Sequence, residues 1–385
     1  MRMSLHVLFT PSWYPTNERP YDGSFFREQA QMLLRAGYKV GVIDLDPVVP
    51  WLWRPGMTID DEDGITVIRS KAVRVHHEKL PGDATLYRWQ AAKAFRKYEK
   101  LCGHPDIVHA HSVFPGIYTA AAAAKHWNIP YVLTEHRPSS LDRPKNCGRG
   151  KSIIKAVRHA DSLSAVSAPF AELLAEYYKT GPWKVIALPV PQSQSHQKLP
   201  KRSQGEPFVF CHVSHWDENK RVDMTMRAFA KAHAENPKTH LMLIGGAGEY
   251  MVEMKALRKE LGIEKSVTLI PRQPRENIAN LMSQAHCFVL ASAVEAGGTV
   301  FAEAQMAGLP CIGTLTFAGR FMIEPKTGIQ VPIDDEGELA AAMVKMARDN
   351  HHEYAPEAIR QRAQERFSEA TFVKASTAFY ESALA

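Results

Sequence analysis

Residues 287–310 constrain the fold more than any other stretch of the chain. Cys287 to Leu290 is an apolar run that reads as a buried strand. A turn of small residues follows, with Gly297 and Gly298 at its tip. A helix is expected over residues 299–307, closed by Gly308 and Pro310. The first N–H groups of such a helix have no internal partner and its dipole favours negative charge, so the turn is a ready anion site. Glu295 and Glu303 bracket it. Carboxylates beside an anion site fit a ligand that also carries hydroxyls, such as a phosphorylated sugar or ribose. An ordinary βα turn with two surface glutamates would carry the same residues.

Strand, turn and helix alternate along both halves, which argues for an α/β chain of two doubly wound, Rossmann-like domains. The expected domains are 1–190 and 208–368. The polar, proline-rich residues 191–207 form the linker, and a helix over 369–385 ends the sequence. In the first half, strands are expected at 5–9, 40–45, 65–69, 106–111, 131–136, 162–166 and 183–188. Ser24 is expected to cap a helix ending at Gly37, and Asp83 one running to Cys102. In the second half, strands are expected at 208–213, 240–244, 267–270, 287–290 and 311–314.

His109 and His111 share one face of their strand, and His111 is nearer the carboxyl end, where open parallel sheets bind ligands. No carboxylate or cysteine nearby completes a metal set. Gly245-Gly-Ala-Gly-Glu249 is not a full dinucleotide fingerprint. Five cysteines without a Cys-x-x-Cys pair argue against a disulfide framework or zinc site and for the cytoplasm. No apolar run approaches the roughly 20 residues of a membrane span, and the N-terminus reads as a core strand, not a signal peptide.

The net charge of +6 is uneven: 25 Lys/Arg face 18 Asp/Glu in residues 1–190, against 22 and 23 in the remainder. That suits an anionic membrane surface or an acidic acceptor; solubility alone explains it as well. The helix 83–102 carries Arg88, Lys93, Arg96, Lys97 and Lys100, and reads either as a membrane-surface helix or as a domain helix with a solvated basic face. Arg137, Arg143, Lys145, Arg149, Lys151, Lys155 and Arg158 begin in a loop that fits an acceptor bearing phosphate or carboxylate, or a solvated loop.

Glu295, seven residues, then Glu303, with Gly298 between and Ala-Gly-Leu-Pro after, resembles the E-x7-E signature of the retaining glycosyltransferases of family four, which have the GT-B fold. Other segments match in the same order. Gly23 stands in the glycine-bearing loop of the first βα unit, with Asp22 where a second glycine is common. Val108-His-Ala-His111 resembles the family's histidine strand. Lys220 matches the lysine of its diphosphate-binding turn, while His215 stands where arginine is expected and Ser214 where glycine is. Of the family's Gly-Gly-x-Pro-Glu pattern only Gly319 remains clearly.

The resemblance implies two domains facing a central cleft, with the last helix crossing back onto the first. It implies catalytic roles for His111, Glu295 and Lys220. The donor would be held by Gly23, His215, Lys220, Arg272, Glu295, Gly297, Gly298, Thr299 and Val300, with Glu303 on the ribose. His109, His136, Arg137 and Arg143 are the acceptor candidates. The implied reaction moves a sugar from a UDP- or GDP-sugar with retention. The basic first half suggests a glycan or lipid-linked acceptor of cell-surface polysaccharide or glycolipid synthesis, at the inner face of the plasma membrane. Front-face attack is expected, with a covalent intermediate on Glu295 as the other route. No cofactor, metal or nucleic acid is implied. A nucleotide-sugar 2-epimerase and a non-catalytic nucleotide-sugar-binding protein are the alternatives.

Overall fold

The computed structural model describes residues 5–20, 22–54, 56–74, 82–142, 145–191, 199, 205–349 and 353–385. The chain divides into two compact units, Met1–Ile186 with Phe372–Ala385, and Ala187–Thr371. Residues 187–190, expected in the first domain, belong to the second. Val190 donates to the Phe367 carbonyl at 2.9 Å, pairs with Ser368 and packs among that unit's apolar side chains. Most of the expected linker lies outside the described residues.

The first unit is built on β1 (His6–Pro11), β2 (Lys39–Val48), β3 (Met57–Glu62), β4 (Ile65–Val73), β5 (Ile107–His111), β6 (Tyr131–Glu135), β7 (Ser162–Ala165) and β8 (Lys184–Val185). Their order in the sheet is β3-β4-β2-β1-β5-β6-β7-β8. Every pairing is parallel except β3 with β4. Strands β1, β5 and β6 are buried along their whole length, as an internal parallel sheet requires. Connecting helices are α1 (Ser24–Arg35), α2 (Asp83–Cys102), α3 (Gly116–Trp127), α4 (Gly148–Arg158) and α5 (Ala168–Tyr178). Strand β3 was not expected. It is an edge strand with mostly exposed, acidic side chains, so no apolar alternation marks it.

The second unit follows β9 (Phe208–Val213), α6 (Val222–Glu235), β10 (Thr239–Gly246), α7 (Gly248–Glu260), β11 (Val267–Pro271), α8 (Arg275–Met282), β12 (Cys287–Leu290), α9 (Thr299–Met306), β13 (Cys311–Thr314), α10 (Phe317–Met322), β14 (Gly328–Val331), α11 (Glu336–Asp349) and α12 (Pro356–Phe367). The sheet order is β11-β10-β9-β12-β13-β14, all parallel. Strand order therefore reverses between β9 and β12, and in the first unit between β1 and β5. Connections on the two sides of such a reversal leave in opposite directions and open a crevice at the carboxyl ends of the strands.

The last helix, α13 (Glu369–Leu384), completes the first unit. Phe372, Phe379 and Tyr380 lie in one core cluster with Val7, Phe9, Phe26 and Val42. Burying one such aromatic side chain is worth roughly 1.5–3 kcal/mol.

Two expected helix caps are placed differently. Gly23 occupies the cap of α1, at φ 76°, and Ser24 is the first helical residue. Asp83 is the first residue of α2, and Gly82 takes the cap position. Its carboxylate instead meets Arg149 Nε at 2.5 Å, with both side chains almost wholly buried. Arg149, expected on a basic acceptor-facing segment, thus ties α4 to α2, and its guanidinium lies over the Phe114 ring. Of the apolar residues of α2, Phe95 and Tyr98 face the core while Trp89 and Leu101 are exposed. No helix among the described residues is long and apolar enough to cross a membrane.

Removing one member of a buried ion pair strands its partner. Asp83→Ala is expected to cost about 3–5 kcal/mol in chemical denaturation followed by circular dichroism, while Asp83→Leu with Arg149→Met costs much less. Equal losses in both variants would refute a charge-based account of this contact.

Candidate nucleotide-sugar site

In the second unit the βα turns after β9 and β12 meet across the reversal of strand order. Asp217 starts the first turn, and its carboxylate accepts from Lys220 N at 3.0 Å, curling residues 218–220 into a short 3-10 turn. Asn219 then straps this turn to the other one. Its carbonyl accepts from Ala293 N at 2.9 Å, its Oδ1 accepts from Val294 N at 2.9 Å, and its Nδ2 donates to the Val294 carbonyl at 3.0 Å. With the turns joined, Lys220 Nζ meets Glu295 Oε2 at 2.6 Å, each side chain about one-fifth exposed. Beneath them His212 is wholly buried between the Val289 carbonyl and Ser214 Oγ. Burial, with Lys220 adding, pushes its imidazole down to about 3, so it is neutral.

The turn after β12 then enters α9. Gly298 caps the helix at φ 60° with no side-chain cap. A Cβ there would lie 2.8 Å from Ala318 Cβ and 2.9 Å from Phe301 Cδ2. The N–H groups of Thr299 and Val300 precede the first intrahelical bond and belong to residues that are only partly buried. The Glu295 carbonyl accepts from Ala318 N at 2.9 Å, which fixes the turn against α10. One helical turn on, Glu303 is paired with Arg275 Nη2 at 2.5 Å. At the end of β11 the Arg272 guanidinium donates to His215 Nδ1.

In the first unit His111 ends β5. Its ring lies 4.3 Å from that of Phe9 and 4.9 Å from that of Phe26, and its Nδ1 is 3.2 Å from His136 Nε2. Burial is the chief cause holding both rings well below the usual imidazole range, so both are neutral. His111 is 0% exposed and its Nε2 has no partner among the described residues. Contact with a donor sugar therefore requires the residues covering it to move. Glu135, also wholly buried, braces the adjoining loops by accepting from the N–H groups of Val113, His136 and Arg137 at 2.8–2.9 Å.

Residues 23–192 match the model described as Glycosyltransferase Family 4, and residues 193–366 the one described as Glycosyl transferases group 1. An N-acetyl-alpha-D-glucosaminyl L-malate synthase of Bacillus anthracis is 30% identical over 289 residues, covering 72% of this chain and 74% of that protein. The chain belongs to glycosyltransferase family four. A D-inositol 3-phosphate glycosyltransferase of Frankia alni is 24% identical over 324 residues, covering 77% of each chain. Among solved structures, Anabaena Alr3699/HepE in complex with UDP aligns with a TM-score of 0.71 at 17% identity, covering 99% of this chain and 100% of that one. The fold of this family-four chain is accordingly GT-B, with two parallel-sheet α/β domains.

Within the second unit the structure brings together Lys220, Glu295, Gly297, Gly298, Thr299 and Val300, and separately pairs Arg272 with His215. Several first-unit expectations are displaced. His109 is an internal residue, bonded through Nδ1 to Tyr380 at 2.9 Å and through Nε2 to Thr134 at 2.7 Å, and burial pushes it down to about 3; it has no nitrogen left for an acceptor. His136 is likewise buried, against His111 and Phe26. The Arg137 guanidinium stacks 3.4 Å over the Trp13 ring. Gly23 answers a local need, since a Cβ there would lie 2.9 Å from Trp13 Cδ1. Arg143 lies outside the described residues. Asn219, Arg275 and Glu135 were missed. Asn219 sits beside the matched lysine, and Arg275 follows Arg272 by three residues, but neither neighbourhood announces its partner.

The left-handed cap and the close packing at Gly298 allow no side chain. Gly298→Ala is expected to lower stability by at least about 1–2 kcal/mol, the cost of the backbone conformation alone, as read by thermal unfolding. An unchanged melting temperature would contradict this placement.

Proposed function

We propose that the chain transfers a sugar from a UDP- or GDP-linked donor to a hydroxyl-bearing acceptor with retention of configuration and without a metal ion. The carrying observation is the Lys220 ammonium held beside the uncapped start of α9 at the strand-order reversal. A departing diphosphate gains negative charge as the sugar becomes oxocarbenium-like, and fixed donors at that spot stabilise it more than they stabilise the ground state. The UDP complex of the structural neighbour supports the same class of ligand.

On this reading the diphosphate takes Lys220 from Glu295, and the released carboxylate accepts from sugar hydroxyls. Glu303, exchanging Arg275, accepts from the ribose. The bond from the anomeric carbon to the phosphate oxygen breaks as the acceptor oxygen bonds to that carbon on the same face. The acceptor proton passes to the departing phosphate oxygen.

Lys220→Ala is expected to lower kcat by about 10²–10³, the usual effect of losing one preorganised donor. Glu303→Ala is expected to weaken nucleotide binding in calorimetry; unchanged affinity for both UDP and GDP rejects the ribose role. Activity is expected to persist in excess chelator, and loss restored by magnesium sinks the metal-free route. Without acceptor a transferase shows only slow hydrolysis of the donor; rapid inversion at the sugar's second carbon identifies a 2-epimerase instead.

A further inference from the structure

The first unit contains a cavity of about 390 Å³ at the carboxyl ends of β1, β2 and β4. His111 does not line it. Asp44 and Asp46 enter from β2, Arg69 and Lys71 from β4, and Arg54 and Met57 from the approach to β3. The parallel register sets Asp44 beside Arg69 and Asp46 beside Lys71.

These neighbours are not joined. Arg69 turns to Asp60, at 2.8 Å, to Glu62 and to the Pro15 carbonyl. Asp44 is 7% exposed and makes no hydrogen bond or ion pair among the described residues. Burial, with Asp46 adding, pushes its carboxyl up to about 7. Among the described residues Lys71, which is exposed, forms no ion pair, and Arg54 donates only to the carbonyls of Trp51 and Trp53. Among the described residues the cavity thus offers one buried carboxyl without a donor, Asp44, an exposed one, Asp46, and two exposed cations without a carboxylate.

A buried polar group without a partner costs free energy that a bound molecule can recover. A simple anion would meet Asp44 and Asp46, and a simple cation Lys71 and Arg54. A molecule covered in hydroxyls suits both sets, because each hydroxyl donates to a carboxylate and accepts from an ammonium or guanidinium. The sequence does contain an Asp-x-Asp pair here, on one face of β2. Among the described residues no third His, Cys, Asp or Glu joins it as a metal set.

We propose that this cavity binds a saccharide and is the acceptor site, with Asp44 and Asp46 accepting from its hydroxyls and Lys71 and Arg54 donating to its oxygens. The acceptor role rests on the transferase reading above; the saccharide chemistry does not.

The test is saturation-transfer NMR on the full chain, in chelator, with the methyl glycosides of glucose, galactose, mannose, N-acetylglucosamine and rhamnose at millimolar concentration. Inorganic phosphate is the competitor. At least one glycoside is expected to bind, phosphate not to displace it, and Asp44→Ala and Lys71→Ala each to weaken it about tenfold, the worth of one hydrogen bond to a charged group. Lys71 is exposed, so its variant tests the site even if Asp44→Ala folds poorly. UDP affinity is expected to be unchanged in both, and in transfer assays the acceptor KM rises while the donor KM does not. No glycoside binding, binding that needs an added divalent ion, displacement by phosphate, or affinity kept within roughly twofold in Lys71→Ala overturns the proposal. Glycoside binding here without UDP or GDP binding overturns the transferase reading and leaves the saccharide site standing.

Discussion

The half-buried contact between Lys220 and Glu295 holds the two turns at the crevice of the second sheet in one geometry. It is not an isolated surface ion pair of the kind worth little. Asn219 ties the same turns through three hydrogen bonds, and the neutral His212 fills the space beneath. Gly298 then directs the chain into α9 with its first N–H groups uncapped. The topology brings the turns close; these side chains turn closeness into a defined site.

Charge is handled differently in the two units. In the second, Lys220, Arg275 and Arg221 are each matched to a carboxylate in partly exposed pairs. Partners so placed can be exchanged for a ligand's groups at modest desolvation cost. In the first, the histidines near β5 are neutral and deeply buried: His109 lies on a chain of hydrogen bonds from Tyr380 to Thr134 and Ser164, and His111 meets His136. Asp44 departs from that pattern as a buried acid with no hydrogen-bond or ion-pair partner among the described residues, and the cavity beside it is the proposed reason.

Much of this was legible from residue order. The alternation of buried apolar runs with glycine turns implied two doubly wound domains, and the stretch from Leu290 to Pro310 implied the helix start that Gly298 provides. Local patterns carry such information because strand, turn and cap are decided within a few residues. Contacts between distant residues are not. Nothing near Glu303 specifies Arg275, and Arg149 stands among exposed basic residues although Asp83, far upstream, draws it into the core. His109 and His111 share a face, yet one has both nitrogens bonded, by Thr134 and by Tyr380 at the far end of the chain, and the other leaves Nε2 unpartnered among the described residues.

That last contact bears on how the protein is made. The first unit's core takes in Phe372, Phe379 and Tyr380, residues synthesised only after the whole of the second unit. A nascent chain that has emerged past Ile186 holds every strand of the first sheet but lacks one wall of its packing. The usual order, in which an amino-terminal domain finishes folding while later parts are still being translated, is closed to it: the half made first is completed last.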